Sequence, residues 1–394
     1  MGKNIVIMVN GKSNNGKGTV AELLLKETSN EYNKIKTSLS TYIRKIAKDD
    51  FFWDGVDNED SREFMQETYR LGTKLYPYHM AKRVYLNDIE PNLNDKKDNL
   101  IIVESLREKC NYDFFNRLKQ IGLIDDLITI RVERPNFDAL GSEKLKSHVS
   151  ETDMDSFDFN WRIANDGSEN NYLRRLSDQV VEFINAYGLK PNVLEVIIDF
   201  DNVIVDTDWA MADFYNEYYH NEIGFKPADG DDIYYYDAGD QCPLLTMEDL
   251  YGMFSSDFFW RNIRLKENAV EIINKLCYDK KYNVMICSFG DNGNKSKKAK
   301  YIKDNLYMVK ETILSDGNLF SKNNISLDRV VFDDHEDNLQ NMGAFNFLMF
   351  DKGYRDFNKK TDHCIKVTSW YDFYDKLEEL RMSIKPKYID TTKV

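Results

Sequence analysis

Two stretches of this chain carry residue types at spacings suited to phosphate chemistry. Near the amino end, Gly11-Lys12-Ser13-Asn14-Asn15-Gly16-Lys17-Gly18-Thr19 has the form G-x-x-x-x-G-K. It follows the apolar run Ile5-Val6-Ile7-Met8-Val9 and leads into Val20-Ala21-Glu22-Leu23-Leu24-Leu25, so strand, loop and helix come in that order. Glycines let backbone N–H groups turn inward around phosphate oxygens, the helix start adds a favourable dipole, and Lys17 reaches the β- and γ-phosphates. Gly11, Asn14, Asn15, Gly16, Lys17, Gly18 and Thr19 are therefore the expected ATP-binding residues. Gly18 stands where many such loops carry a magnesium-binding hydroxyl. Metal ligation by the loop stays open, with Thr19 on a phosphate or on the hydrated ion.

The second stretch begins past the midpoint. Val193 to Ile198 is an apolar run, interrupted at Glu195, that ends in Asp199-Phe200-Asp201. Two residues apart in extended chain, both carboxylates point the same way. One can attack phosphorus while the other handles protons, and a divalent cation shields the attacking carboxylate from an anionic substrate. Val284-Met285-Ile286-Cys287 delivers Ser288, a phosphate hydrogen-bond donor. Val330-Val331-Phe332 delivers Asp333-Asp334, suited to magnesium. Lys322 is the expected cation for phosphate and departing charge, with Lys298 as the alternative; His335 is a phosphate contact or a surface histidine.

Further elements must bring partners to the first loop. Leu100 to Glu104 reads as a buried parallel strand with Ser105-Leu106-Arg107 at its C-terminal end, where ligands of open α/β sheets gather. Arg107 can hold a monophosphate bidentately, and Glu104 can orient a metal-bound water or a sugar hydroxyl. Leu127 to Val132 leads to Arg134 near the same edge, as a substrate contact or an ordinary solvent-facing arginine. Lys74, Tyr78 and Arg83, in a helical stretch, either line a nucleoside pocket or are simply exposed.

The 394 residues, 42% of them apolar, suit two or three domains with cores of their own. Two α/β units are expected, 1–190 and 191–383, joined between Ala186 and Asn192, where Gly188 ends a helix and Pro191 prevents its continuation. Residues 384–394 read as a frayed tail, and Lys295 to Lys300 as a solvated helix face. The aromatic-rich segment 208–262 interrupts the second unit; Trp209, Phe214, Tyr215, Tyr218 and Phe258 suit a small core of its own, and Tyr234-Tyr235-Tyr236 suit contact with a base. No apolar run approaches a membrane span, and five scattered cysteines without a C-x-x-C pair indicate neither a disulfide framework nor a zinc site. A reducing cytoplasm is the expected location. The net charge is −14, with −3 before Pro191 and −11 from it onward, which disfavours long nucleic acid and leaves small phosphorylated molecules as partners. A homodimer is compatible with the sequence.

The G-K-G-T loop resembles that of adenylate-kinase-type enzymes. Together with Ile102-Val103-Glu104-Ser105-Leu106-Arg107, Arg131-Val132-Glu133-Arg134-Pro135, His148-Val149-Ser150-Glu151-Thr152 and Ile163-Ala164-Asn165-Asp166-Gly167-Ser168, it makes residues 4–187 resemble the phage deoxynucleoside monophosphate kinases. That resemblance implies a P-loop fold and transfer of the ATP γ-phosphoryl group to a deoxynucleoside monophosphate. Lys17, Arg107 and magnesium would neutralise charge, and His148, Ser150 and Glu151 would lie in a mobile substrate-binding segment.

Residues 193–380 resemble the haloacid-dehalogenase-like phosphohydrolases, and among them the 5′(3′)-deoxyribonucleotidases, through Ile198-Asp199-Phe200-Asp201-Asn202-Val203 running into Val205-Asp206, Phe258-Phe259 ahead of Asn268-Ala269-Val270, and Lys322 before Asp333-Asp334. The resemblance implies a Rossmannoid domain with a helical cap at about 208–262. Asp199 would be the nucleophile, Asp201 acid and base, Ser288 and Lys322 phosphate ligands, and Asp199, Asp333 and Asp334, with Asp201 beside them, would surround magnesium. Asn202 replaces the usual glycine.

The expected protein is thus a virus-encoded, two-headed nucleotide enzyme of the host cytoplasm: a monophosphate kinase followed by a magnesium-dependent 5′-nucleotidase. The heads would differ in base specificity, since otherwise they would only consume ATP. A polynucleotide 5′-kinase/3′-phosphatase has the same domain order and is the alternative; a nucleotide sensor with one inactive head is the non-catalytic one.

Overall fold

The computed structural model describes residues 2–393 apart from 57, 136–147, 149–151, 168–170, 234–240, 291, 316–328, 340–344, 353–357 and 359–360. The chain is α/β, with two compact units, each holding a six-stranded parallel sheet. Residues 2–192 and 384–393 belong to the first unit, and Val193–Ser383 to the second.

In the first unit the strands are β1 (Asn4–Asn10), β2 (Asn33–Ser38), β3 (Asn99–Leu106), β4 (Asp126–Glu133) and β5 (Trp161–Ala164). The helices are α1 (Lys17–Glu27), α2 (Thr41–Asp49), α3 (Glu59–Leu75), α4 (His79–Val84), α5 (Lys109–Gln120) and α6 (Tyr172–Ala186). Alternation along β1 shows why it is central. Ile5, Ile7 and Val9 enter one core with α1 and α6, while Val6 and Met8 enter another with α2, α4 and α5. Both faces are buried, which a continuous apolar run permits and an alternating one would not. The loop after β1 therefore opens between the C-terminal ends of β3 and β4, its neighbours in the sheet.

In the second unit β6 (Leu194–Ile198) repeats this logic: Val196 and Ile198 pack into the main core, Ile197 into a smaller one on the opposite face. A two-stranded antiparallel pair, β7 (Val205–Asp206) with β8 (Arg264–Leu265), closes the base of a mostly helical insertion. That insertion contains α7 (Thr207–Tyr219), α8 (Met247–Met253) and α9 (Asp257–Asn262). Thr246 and Asp249 form a capping box that starts α8, and the Ser256 side chain caps α9. The remaining elements are α10 (Ala269–Tyr278), β9 (Tyr282–Phe289), α11 (Asn292–Asn305), β10 (Glu311–Ser315), β11 (Arg329–Asp333), β12 (Phe345–Met349), β13 (Ile365–Val367) and α12 (Trp370–Ser383). The sheet order is β10-β9-β6-β11-β12-β13, so the strands bearing Ser288 and Asp333 flank the one leading to Asp199.

The frayed tail expected at 384–394 is corrected. Ile389–Asp390 forms β14, parallel to β2, and the first sheet reads β14-β2-β3-β1-β4-β5. Thr391 is buried, its hydroxyl donating to the Lys36 carbonyl at 2.9 Å. Backbone pairing and this hydroxyl order a segment whose polar composition suggested fraying. No described helix is long and apolar enough to cross a membrane.

Candidate active sites

The glycine loop of the first unit is built on positive backbone angles: Gly11 (φ 154°), Asn14 (φ 57°) and Gly16 (φ 91°). A Cβ at Gly16 would lie 2.3 Å from Asn165 Nδ2, which itself donates to the Asn15 carbonyl at 2.9 Å. Asn15 is buried, its side chain donating to Val132 O at 3.1 Å, so the side chain braces the loop. No acidic side chain occupies the first turn of α1, and no side chain caps it. Lys17 Nζ donates to the carbonyls of Gly11 and Lys12, each at 2.8 Å. Burial and then Arg107 lower its proton affinity well below that of an ordinary lysine, with Glu104 opposing them. An anion there would restore the charge.

A cavity of about 840 Å³ adjoins this loop and is lined by Asn14, Gly16, Lys17, Gly18, Thr19, Glu104 and Arg107, as the strand-edge argument expected. Glu104 approaches Gly18 and pairs with Lys36 at 3.3 Å; burial raises its pKa, with Lys36 opposing. His148 lies near enough to feel Glu67, Arg70 and Arg107, although burial is the main cause of its lowered pKa. Ser150 and Glu151 lie outside the described residues.

Arg134 lies outside the cavity lining. It packs against Gly167 and donates to Asn14 O at 3.4 Å, on the loop. Nor do Lys74, Tyr78 and Arg83 line the cavity; Arg83 stacks on Tyr42 and Tyr78 lies under Arg117. The sequence reading missed Ser38, Ser40, Arg44, Arg62, Gln66 and Tyr69, all cavity-lining. Ser38 ends β2 and Leu39-Ser40 follow it, at the same sheet edge as the ends of β3 and β4. Arg62, Gln66 and Tyr69 recur at helical spacing along α3, a signal that needs the partner surface to be informative.

In the second unit, Asp199, Asp333 and Asp334 are buried, and one carboxylate oxygen from each lies within 4.8 Å of the others. Hard oxygen donors gathered this closely fit a magnesium ion. The Asp199 N–H donates to Phe332 O at 2.8 Å, locking it to β11, and Asp333 Oδ1 accepts from His335 N at 2.9 Å and Asn338 Nδ2 at 3.1 Å. Asn202 tolerates φ 54° and exchanges hydrogen bonds with Asp208 at the start of α7, which explains asparagine where a glycine is usual.

The Asp201 side chain is not in that carboxylate group. Its Oδ1 accepts from Thr207 Oγ1 at 3.0 Å; its Oδ2 accepts from Ser288 Oγ at 3.3 Å and from Lys298 Nζ. Lys298 is 1% exposed and also donates to Ser288 Oγ at 2.9 Å and Phe289 O at 2.6 Å. The solvated face expected for Lys295 to Lys300 is thereby corrected at Lys298, which lies with Asn294 and Ile302 on the buried face of α11. Lys322 lies outside the described residues.

Phe214, Tyr218 and Phe258 contact one another, but Tyr215 and Phe259 are buried in the same core as Ile198 and Phe332, so the small separate core expected for the insertion is corrected: its aromatics extend the core of the second sheet. Trp209 packs on Gly230 and donates to Asp231. Tyr234, Tyr235 and Tyr236 lie outside the described residues.

No curated protein matches the chain. Among solved structures, it is similar to a HAD family hydrolase from Deinococcus radiodurans with bound phosphate and sodium, at 15% identity over 50% of this chain and 99% of that one (TM-score 0.35). It is also similar to a conserved haloacid dehalogenase-like protein of unknown function from Agrobacterium tumefaciens, at 14% identity over 48% and 99% (TM-score 0.36). The Pnkp1/Rnl/Hen1 RNA repair complex aligns over 91% of this chain and 98% of that one, at 11% identity and a TM-score of 0.22. These scores are too low to carry an assignment. Residues 192–383, the span of the second unit, match the model of the family described as 5′ nucleotidase, deoxy (Pyrimidine), cytosolic type C protein.

Proposed function

We propose that the second unit hydrolyses deoxynucleoside monophosphates at the 5′-phosphate through a phosphoaspartate. The reading is carried by one arrangement: the Asp199, Asp333 and Asp334 oxygens converge while Asp201, Ser288 and Lys298 form a separate hydrogen-bonded group alongside. The family match over residues 192–383 supports the nucleotide class. Asp199 attacks phosphorus, and the departing sugar oxygen takes a proton from Asp201. Water then attacks the acyl phosphate, gives its proton to Asp201, and releases phosphate with Asp199 restored. Lys298 and Ser288 hold the phosphate oxygens; a phosphate that engages them frees Asp201 Oδ2 to carry a proton. Magnesium, held by Asp199, Asp333 and Asp334, would screen the charge between carboxylate and phosphate.

For the first unit we propose a P-loop kinase that moves the ATP γ-phosphoryl group to a deoxynucleoside monophosphate. Its support is the strand–loop–helix geometry, the bare helix start, and Lys17 and Arg107 facing one cavity. Chemistry of this kind is mostly positioning and charge neutralisation. Small deoxynucleotides and ATP would be the partners, with different bases at the two heads.

The test is a panel of all common deoxynucleoside monophosphates, with and without ATP, beside a 5′-hydroxyl and a 3′-phosphate oligonucleotide. Turnover of mononucleotides by both units, with different rank orders of base, is the expected result. Turnover confined to oligonucleotide ends would replace this reading with nucleic-acid end repair.

A further inference from the structure

We propose that residues 388–392 are a working part of the first unit's cavity: Thr392 completes its wall, and Tyr388 and Asp390 hold the Glu22–Lys36–Glu104 chain that positions the glutamate facing the glycine loop. The proposal rests on the reading of that cavity as a nucleoside triphosphate site.

Thr392 lines the cavity directly. Asp390 pairs in register with Lys36 along β2, and its carboxylate accepts from Thr392 N at 3.0 Å and Thr392 Oγ1 at 2.6 Å. Tyr388 Oη lies 2.7 Å and 2.9 Å from the two Glu22 oxygens. Lys36 Nζ donates to Glu22 Oε1 at 2.6 Å and lies 3.3 Å from Glu104 Oε1 and 3.9 Å from Asp390 Oδ2. One ammonium thus serves three carboxylates, two of which, Glu22 and Glu104, belong to α1 and β3, the elements that carry the phosphate loop and the Arg107 edge.

The consequence follows from charge. Glu104 approaches Gly18, next to Lys17, and interacts electrostatically with both Lys17 and Lys36. While Lys36 is held beside it, Glu104 has a cation other than Lys17, and Lys17 stays available for phosphate. Without β14, strand β2 becomes the sheet edge and Lys36 is opened to water, where its pairing weakens. Glu104 then competes with phosphate for Lys17.

The full chain is compared with a chain ending at Pro386, with Asp390→Ala and Asp390→Glu, and with Lys17→Ala. ATP binding is measured by calorimetry, and hydrogen exchange is followed without nucleotide. Hydrolysis of p-nitrophenyl phosphate and circular dichroism report the integrity of the rest. The shortened chain and Asp390→Ala are expected to bind ATP about ten-fold more weakly or worse, with Asp390→Glu recovering most of the loss and hydrolysis unchanged. Exchange over residues 11–19 and 36–40 rises in the shortened chain. ATP binding and exchange both unaltered by shortening would overturn the proposal. If the full chain binds no ATP, or Lys17→Ala binds it equally well, the triphosphate reading fails; exchange then decides whether the segment still orders the loop.

Discussion

Lys298 and Asp201 show how much the buried face of a helix changes the chemistry of a lysine on it. A lysine in a run of lysines is usually solvated, yet this one is buried with three acceptors around its ammonium. Replacing it with methionine should lower phosphatase turnover by about 10²–10³ while leaving ATP binding intact, checked by steady-state kinetics and calorimetry. Asp199→Asn should abolish hydrolysis and any trapped phosphoaspartate, checked by mass spectrometry of the quenched enzyme. Glu108 yields a pH prediction. Burial first, then Asp153, pushes its pKa up to about 7, and its buried Oε1 accepts no hydrogen bond among the described residues. A carboxyl whose folded pKa is raised contributes stability at low pH that is lost as pH rises from the unfolded value through about 7. Glu108→Gln should therefore raise the melting temperature at pH 8 by roughly 2–8 °C, with the gain vanishing near pH 4.

At the scale of elements, both sites sit where parallel strands end and a helix or loop begins, because that edge is where the sheet leaves backbone and side chains without a neighbouring layer. The glycine loop is the most constrained piece. Gly16 combines a left-handed angle with an approach that a methyl group cannot share. Gly16→Ala should weaken ATP binding by about ten-fold or more without altering p-nitrophenyl phosphate hydrolysis, measured by calorimetry and a colorimetric assay. The helical insertion of the second unit is anchored as well as packed: Lys352 Nζ donates to Asp208 Oδ2 at 2.9 Å and to Gly230 O, tying the strand end after β12 to α7 and to the segment beyond it.

For the whole molecule, the decisive feature is connectivity. The second unit is a continuous segment inserted into the first, which the chain completes only on its return. Residues 193–383 expressed alone should fold and retain hydrolysis, because their sheet and core are their own. Residues 1–192 alone should lose cooperativity and bind ATP poorly, because β2 is left as an open edge; thermal unfolding and calorimetry of the two fragments check this. During synthesis the first unit would gain its last strand only after the second has emerged.

Local residue pattern was sufficient for the α/β class, the strand–loop–helix around Lys17, the two aspartates after β6 and the join before Val193. Each of these depends on periodicity or on neighbours a few residues apart, and backbone geometry turns such spacing directly into direction. Pattern could not reveal that Ile389–Asp390 extends the first sheet, that α3 supplies Arg62 and Tyr69 to the cavity, or that Lys298 rather than its neighbours turns inward. Those outcomes depend on which surfaces meet once elements apart in sequence have packed together. Charge pairing and burial decide them, and neither exists until the chain has folded.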